Sequence, residues 1–277
     1  MSWRHAARKD LSAVLNFLLR SEALCVPFTS RLRAGTRGSD VYYTVDGRGG
    51  VAECILFTTA GLLLPVLSAQ DSGHDGLADV LRELNPKVHS IMGIGRCVKA
   101  TEALIPLPPT TRIEYFLMTL QRGFLRSAFP VDAPAIRVRK ADPFDAEALF
   151  PLQKGYELEE VVIDPSHFSD AQCMKLLRKA LREELVFVAE RDGLPVAKAA
   201  TNARGFGADQ IGGVYTVPSE RGKGLGALVV GKLLEAIFPD KRWASLFVKK
   251  RNRPAIALYD RLGFAPATDY IISYYGI

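Results

Sequence analysis

The stretch Ile-Gly-Gly-Val-Tyr-Thr-Val-Pro-Ser-Glu-Arg-Gly-Lys-Gly-Leu-Gly, residues 211–226, decides the fold of this chain. Residues 214–217 are β-branched or aromatic, which predicts a strand. A glycine-rich turn follows at 221–226. The apolar run at 227–238 has the length and composition of a helix. The sequence therefore predicts a strand, a glycine loop and a helix in direct succession.

This loop has the composition of an anion site. Glycines at 222, 224 and 226 let the backbone turn tightly and approach a ligand closely. The loop amides and the open N-terminus of the following helix attract negative charge. Arg221 and Lys223 add positive charge, so a phosphate or pyrophosphate is the expected ligand.

The order of the loop residues separates it from two other phosphate loops. A Walker A loop ends in Lys-Ser/Thr, and a dinucleotide loop has Gly-x-Gly-x-x-Gly; neither is present here. The loop resembles the Arg/Gln-x-x-Gly-x-Gly/Ala signature of the GNAT superfamily of acyl-CoA-dependent N-acyltransferases, with Arg221, Gly224 and Gly226 at the matching positions. An ordinary tight turn between strand and helix is the alternative.

A second motif follows at the expected distance. Residues 252–264 read Asn-Arg-Pro-Ala-Ile-Ala-Leu-Tyr-Asp-Arg-Leu-Gly-Phe and resemble the GNAT pattern Asn-x-x-Ala-x-x-Leu-Tyr-x-x-x-Gly-Phe. Asn252 can cap a helix, Pro254 suits a first helical turn and Gly263 suits a C-cap. The resemblance covers residues 136–277.

The resemblance implies where an acyl-CoA would bind. In the superfamily the co-substrate, acetyl-CoA, lies between two parallel strands that splay apart, here 211–217 and 243–248. Pantetheine would pair with the first strand, the pyrophosphate would lie on the glycine loop, and Asn252 would touch the pantetheine arm. The implied binding residues are Val214, Tyr215, Thr216, Arg221, Gly222, Lys223, Gly224, Leu225, Gly226 and Asn252.

The same resemblance implies a catalytic acid and leaves the base open. Tyr259 matches the tyrosine that commonly protonates the CoA sulfur; a tyrosine of the packed core is the alternative. Histone-acetylating members carry a glutamate where this chain has Gln210, which cannot accept a proton. We take Glu160 as the candidate base, with Glu157 and Glu159 beside it as further candidates, and any of them could act through a water. The alternatives are that these carboxylates are solvated surface groups and that the amine arrives already deprotonated. Asp209 should face the other side of its strand.

The two halves of the chain present one order of predicted elements. Each has a leading helix, placed at residues 1–24 in the first half, then a hairpin at Asp-Gly, a strand, a helix, a strand, a helix and a last strand, placed at residues 270–275 in the second half. This predicts an α/β fold with a mixed sheet, built from tandem GNAT-like units at 1–130 and 135–277. A proline-containing linker at 129–134 separates them. An accessory α/β domain of another kind is the alternative for the first half.

The first half lacks the basic glycine loop. Its corresponding stretch, Ala69-Gln-Asp-Ser-Gly-His-Asp-Gly, has two aspartates and neither arginine nor lysine. Such a loop should repel phosphates, so we expect this half to have lost cofactor binding. It is expected to shape the substrate site or a subunit interface, and a homodimer is one possible assembly.

Charge and composition limit the partners. The net charge is +6 with a pI of about 9.1, and the local basic cluster comprises Lys241, Arg242, Lys249, Lys250, Arg251 and Arg253. This cluster could face CoA phosphates or form a solvated surface. No nucleic-acid motif accompanies it, so we expect no nucleic-acid partner. The acidic segment 150–170 favours a cationic primary amine, small or peptidic, as acceptor.

The apolar segments and the cysteine spacing indicate where the protein is located and whether it binds a metal. No apolar run reaches the length needed to span a membrane, and Asp10 and Asn16 interrupt the first apolar stretch, so a cytoplasmic protein is expected without membrane association. The four cysteines are widely spaced, which favours reduced, buried thiols and no metal site. The sequence thus indicates an N-acetyltransferase; a non-catalytic acyl-CoA-binding module on the same fold is the alternative.

Overall fold

The chain forms a mixed α/β structure with helices on both sides of one large sheet. The computed structural model describes residues 2–36, 38–68, 74, 76–84, 88–126 and 136–276. The helices are α1 (Leu11–Leu19), α2 (Val26–Arg33), α3 (Leu77–Leu84), α4 (Gly95–Glu102), α5 (Ala146–Tyr156), α6 (Asp170–Glu183), α7 (Leu225–Ile237) and α8 (Arg253–Leu262). One turn of π-helix, Glu157–Val161, continues α5; we call it the acidic turn.

The strands form a single twelve-stranded sheet in the order β1-β2-β3-β4-β5-β12-β6-β11-β10-β9-β8-β7. They are β1 (Arg4–His5), β2 (Ser39–Val45), β3 (Val51–Thr58), β4 (Leu62–Val66), β5 (Ser90–Ile94), β6 (Thr111–Gln121), β7 (Ile136–Lys140), β8 (Val186–Arg191), β9 (Leu194–Arg204), β10 (Ala208–Thr216), β11 (Trp243–Lys249) and β12 (Ala265–Tyr274). Within the described strands, the parallel pairs are β4–β5 and β10–β11.

The two halves exchange their last strands. Strand β6 ends the first half but pairs with β11 of the second, and β12 ends the second half but pairs with β5 of the first. The two exchanged strands also pair with each other. Because of this exchange, the edges of both halves are covered by main-chain hydrogen bonds from the other half, and the sheet is continuous.

Strands β10 and β11 splay apart, as the resemblance implied, and we call the gap between them the V. They pair only where Ala208–Gln210 lie beside Trp243–Ser245, and they separate beyond that point. The register of β10 against β9 shifts between Gly212 and Tyr215, where two residues of β10 face one of β9. This bulge bends β10 away from β11 and opens a gap in the sheet.

The first half has a corresponding gap that is filled. Strands β4 and β5 pair only through Leu62 and Leu63 with Ser90 and Ile91. The cavity between their separated ends measures about 20 Å³ and is lined partly by Pro27 and Phe28 of α2. A volume near that of one water molecule has no room for a pantetheine arm. The gap between these two strands is therefore filled; the acidic loop at 69–76, on which the expected loss of cofactor binding rests, lies outside the described residues except at 74 and 76.

Two predicted elements needed correction. The helix expected at 1–24 is replaced by β1, α1, a 3-10 turn at Glu22–Leu24 and then α2, because the chain turns at residue 25 and Pro27 starts a new helix. Strand β12 begins at Ala265 rather than at the expected Tyr270, since its pairing with β6 extends the strand towards α8. The predicted linker at 129–134, and with it the boundary between the units, lies outside the described residues.

Two other expectations, the buried free cysteines and the apolar helix after the glycine loop, agree with the structure. All four cysteines are free and buried. Helix α7 is buried along most of its length, where it packs against β8, β9 and β10. Within the described residues, no helix is both long and apolar enough to cross a bilayer.

Candidate active site

An open cleft of about 710 Å³ lies between the end of β10, the glycine loop and α8. We call it the outer cleft. Of the ten residues expected to bind the cofactor, nine line it: Val214, Tyr215, Thr216, Arg221, Gly222, Gly224, Leu225, Gly226 and Asn252. The tenth, Lys223, is not a lining residue; its ammonium lies 3.1 Å from the Glu220 carboxylate.

The glycine loop adopts the conformation that its composition predicts. Gly222 and Gly224 have φ angles of 79° and 80°, in the left-handed region that favours glycine. Gly224 is the N-cap of α7 and offers no side chain to its first amides. The N-terminus of α7 therefore opens into the outer cleft with unsatisfied donors and the positive end of its dipole.

Arg221 is held in place beside this loop. Its Nε donates to the Thr216 carbonyl oxygen at 3.0 Å, and its guanidinium lies 5.4 Å from the centre of the Tyr215 ring. Its Nη2 donates to both oxygens of Glu159, at 2.9 and 2.8 Å. The cation that should meet a phosphate thus lies against a carboxylate of the acidic turn.

A second cavity of about 420 Å³ lies deeper, between β10 and β11. We call it the inner cavity. The lining residues that it shares with the outer cleft are Glu160, Val214, Lys249, Asn252, Ala255 and Leu258. The two cavities therefore meet at the V, and a molecule in the outer cleft could extend one end into the inner cavity.

Both halves build the inner cavity. Tyr115 reaches it from β6 of the first half, and Ile272 and Tyr274 reach it from β12. The strand exchange places Tyr115 opposite Lys249 of β11, with β12 on the far side of β6. The first half thus contributes Tyr115 to the lining of the inner cavity; that it shapes a substrate site stays a prediction.

The acidic turn lies across the V. Glu159 contacts Arg221 and the Tyr215 hydroxyl on the β10 side. Glu160 lies 3.2 Å from Lys249 Nζ and 3.0 Å from Asn252 Nδ2 on the β11 side. Lys249 also donates to the carbonyl oxygen of Glu159, at 3.3 Å. Two adjacent glutamates are therefore held by opposite walls of the gap.

Tyr259 points from α8 into the inner cavity. Its ring packs edge-on against Phe264 at 5.9 Å, and the residue is buried. Burial raises the pKa of its hydroxyl, and the neighbouring Tyr156 and Glu160 raise it further. A hydroxyl that keeps its proton at neutral pH can act as an acid towards a thiolate.

Besides the tyrosines, two ionisable groups that line the inner cavity have shifted pKa values. Burial raises the pKa of the Glu157 carboxyl, against the effects of a hydrogen bond from Gln153 and of the Lys198 charge. Burial lowers the pKa of Lys198 to about 8. Groups shifted by burial in a cleft are common at functional sites.

The residue at the position of the histone-acetyltransferase glutamate is no base. Gln210 is buried within β10, beside Ser245 of β11. Asp209 faces away from the V, as expected: it lies 3.5 Å from Lys241 and 3.4 Å from Arg204. Burial raises the pKa of Asp209 against these cations. The carboxylates that line the inner cavity are those of Glu157 and Glu160, both in the acidic turn.

The basic cluster divides into two groups. Lys249 and Arg251 line the outer cleft, whereas Lys241 is buried against the carbonyl oxygens of Gly205 and Phe206. Lys250 pairs with Glu114 and Asp269. Part of the cluster thus lines the outer cleft, and part of it is structural. The spacing of positive charges along the sequence could not distinguish these two roles.

Sequence reasoning missed several lining residues. Lys198 could have been noticed as a lone cation within the apolar strand Pro195–Ala200, and Tyr156 as the residue preceding the acidic turn. Tyr115 had no such signal, since only the strand exchange brings it to this site. Among the described residues, no group of three or more His, Cys, Asp or Glu side chains could hold a metal ion.

Comparison with known proteins agrees with this geometry. Residues 149–264 match the family model of the GNAT acetyltransferase family. A Drosophila protein of known structure superposes with a TM-score of 0.71 at 14% identity, covering 98% of both chains. A GCN5-related N-acetyltransferase from Kribbella flavida gives a TM-score of 0.61 at 18% identity over 92% of this chain and 96% of that one.

A third solved structure is a tandem GNAT protein from the clavulanic acid biosynthesis pathway, with a TM-score of 0.57 at 14% identity, covering 98% of this chain and 97% of that one. At these identities the likeness shows the fold, and it extends through the first half. The fold is therefore a tandem GNAT arrangement. A comparison with curated protein sequences finds no match.

Proposed function

We propose that this chain, whose residues 149–264 match the family model of the GNAT acetyltransferase family, transfers the acetyl group of acetyl-CoA to a primary amine. One observation carries the proposal: the outer cleft and the inner cavity meet at the V between β10 and β11. Acetyl-CoA bound in the outer cleft could place its thioester where the two cavities meet, within reach of an amine in the inner cavity.

The outer cleft fits the chemistry of acetyl-CoA. The pyrophosphate would lie on the amides of the glycine loop and the N-terminus of α7, near Arg221. Arg251 and Lys249 line the same cleft and add positive charge. The pantetheine arm would follow Val214, Tyr215 and Thr216 towards the V. Val214 and Lys249 also line the inner cavity, so they connect it to the outer cleft.

The reaction would proceed by direct attack. The amine nitrogen forms a bond to the thioester carbon, the carbon–sulfur bond breaks, and the thiolate takes a proton. Tyr259 would donate that proton. Glu160, where the two cavities meet, would accept a proton from the amine, directly or through a water. Each such group contributes roughly 10²–10⁴-fold to the rate.

The co-substrate can be tested by calorimetry. Acetyl-CoA is expected to bind one site per chain, and Gly224→Asp should abolish binding, because its carboxylate would occupy the phosphate position. Gly193→Asp is the matched control, since Gly193 also has a positive φ, of 77°, and lies in a remote turn. Two sites per chain would mean that the first half also binds the cofactor.

Turnover can be tested by thiol release from acetyl-CoA with a panel of primary amines. Tyr259→Phe and Glu160→Gln are each expected to lower kcat/KM by about 10²- to 10⁴-fold. Tyr43→Phe is the control for the tyrosine, because Tyr43 and Tyr259 are equally buried, at 8% exposure. Full activity in Tyr259→Phe would remove this tyrosine as the acid.

A non-catalytic acyl-CoA-binding module is the second candidate. Two observations favour it: Gln210 replaces the glutamate, and Glu159 pairs with the phosphate-binding Arg221. Binding of acetyl-CoA with no thiol release for any amine would support this module. Amine-dependent release that is lost in Tyr259→Phe would support the enzyme.

A further inference from the structure

Lys198 is a cation buried in the core beside the candidate active site. It lies on β9, is 2% exposed, and has the buried Ala197 and Ala199 as neighbours. A buried ammonium is costly unless it is paired. Among the described residues it forms no ion pair. Its contacts are the carbonyl oxygen of Gly213, at 2.8 Å, and the ring of Tyr156, at 5.1 Å.

Both contacts fix the bulge of β10. Gly213 has a φ of 61° and lies in the interval where β10 is out of register with β9. Lys198 holds its carbonyl oxygen, and the Tyr156 hydroxyl of α5 lies close to the Gly213 backbone. One peptide segment is thus held from β9 and from α5. The bulge determines how β10 leaves β11, so these contacts set the shape of the V.

The peptide bond between Gly213 and Val214 lies where the two cavities meet. Gly213 lines the inner cavity, and Val214 lines both. We propose that Lys198 is a positioning residue for acetyl transfer: its ammonium holds and polarises the Gly213–Val214 peptide so that the Val214 N–H donates to the thioester oxygen of bound acetyl-CoA. This inference rests on the proposed function.

The physical basis is cooperative hydrogen bonding. A cation on the carbonyl oxygen draws electron density through the peptide bond and makes the N–H a stronger donor, by roughly 10–30% in condensed-phase estimates. Donors aimed at a developing oxyanion contribute about 10²–10³-fold to kcat. Lys198 would act on the reaction only through this peptide.

The charge of Lys198 makes the proposal sensitive to pH. Three ionisable groups face the ammonium: Tyr156 of α5, Glu157 of the acidic turn and Cys173 of α6. Burial lowers the pKa of Lys198 to about 8, while Glu157 and Cys173 act in the opposite direction. The ammonium is therefore present at neutral pH and is lost as the pH rises above about 8.

Infrared spectroscopy of bound acetyl-CoA, labelled with ¹³C at the acetyl carbonyl, tests the inference directly. The wild-type protein at pH 6.5 should lower the carbonyl stretching frequency relative to free acetyl-CoA, and the shift should shrink at pH 9.5. Lys198→Met should show little shift at either pH. Lys198→Arg should keep its shift at both, because the guanidinium stays charged. Lys232→Met, an exposed change on α7, should behave as wild type.

The outcomes separate this inference from the proposed function. Calorimetry on the same samples reports binding: an absence of binding to the wild type refutes the proposed function. Binding with a carbonyl shift that is independent of pH, or equal in Lys198→Met, refutes the role of Lys198 alone. The pH series on the wild type decides the question if the methionine variant fails to fold. In turnover, Lys198→Met should lower kcat by about 10- to 1000-fold with little change in KM.

Discussion

Glu159 and Arg221 form an ion pair in which one guanidinium nitrogen donates to both carboxylate oxygens. Arg221 is the cation expected to meet the pyrophosphate, so Glu159 competes with the ligand for it. The competition is weak, because both side chains are nearly half exposed and such pairs contribute about 0.2–1 kcal/mol. Breaking the pair also frees the acidic turn on the β10 side of the V.

Glu159→Gln should therefore tighten acetyl-CoA binding. The expected decrease in Kd is about 2- to 5-fold, equivalent to the energy of the exposed pair, and it should be larger at low salt than at high salt. Calorimetry at two salt concentrations measures it. Glu147→Gln, which removes a remote exposed pair with Arg178, should leave Kd unchanged. Weaker binding in Glu159→Gln would mean that the glutamate helps to hold the ligand.

Lys198 should make the stability of the fold depend on pH. Its pKa falls from 10.5 in the unfolded chain to about 8 in the folded protein, so the unfolded state binds more protons between these values. Stability then rises with pH across that interval. The free energy of unfolding of the wild type, relative to Lys198→Met, should increase by about 3 kcal/mol from pH 8 to pH 10.5.

Urea unfolding at several pH values measures this difference. Lys198→Met also leaves the Gly213 carbonyl without its donor, so the change with pH, and not the absolute stability, is the relevant quantity. Lys232→Met should show no such change, because Lys232 is exposed on α7. A constant difference between wild type and Lys198→Met would show that Lys198 titrates normally in the folded protein.

The site residues whose positions depend only on their neighbours in the sequence could be predicted. The glycine loop, the Asn252 cap and the placement of Tyr259 follow from residue types at fixed spacing. Tyr115 could not be placed, because it joins the site through the pairing between β6 and β11. Nothing in the order of apolar and polar residues in β6 specifies which strand it pairs with. Lys198 could not be assigned a role either, since its partner, the Gly213 carbonyl, depends on a bulge that alternation of side chains does not reveal.

Glu22 should be important for the contact between the two halves. It is 5% exposed, and its carboxylate accepts hydrogen bonds from the amides of Phe206 and Gly207, both at 2.7 Å. Glu22→Ala leaves both partly buried amide donors without this partner, which should lower the free energy of unfolding by about 1–3 kcal/mol. Chemical denaturation measures the loss. Glu235→Ala, an exposed change on α7, should have an effect within about 0.5 kcal/mol.

The strand exchange predicts that the two halves stay together without a covalent link. A protease site inserted after residue 130, within the segment 127–135, would allow the folded protein to be cut between them. Strand β6 would still pair with β11, and β12 with β5, and each strand is covered by its neighbours. The cut protein should elute as one species of uncut size under native conditions and separate into two fragments only in denaturant. Elution as two species of half size would show that the exchanged strands do not hold the halves together.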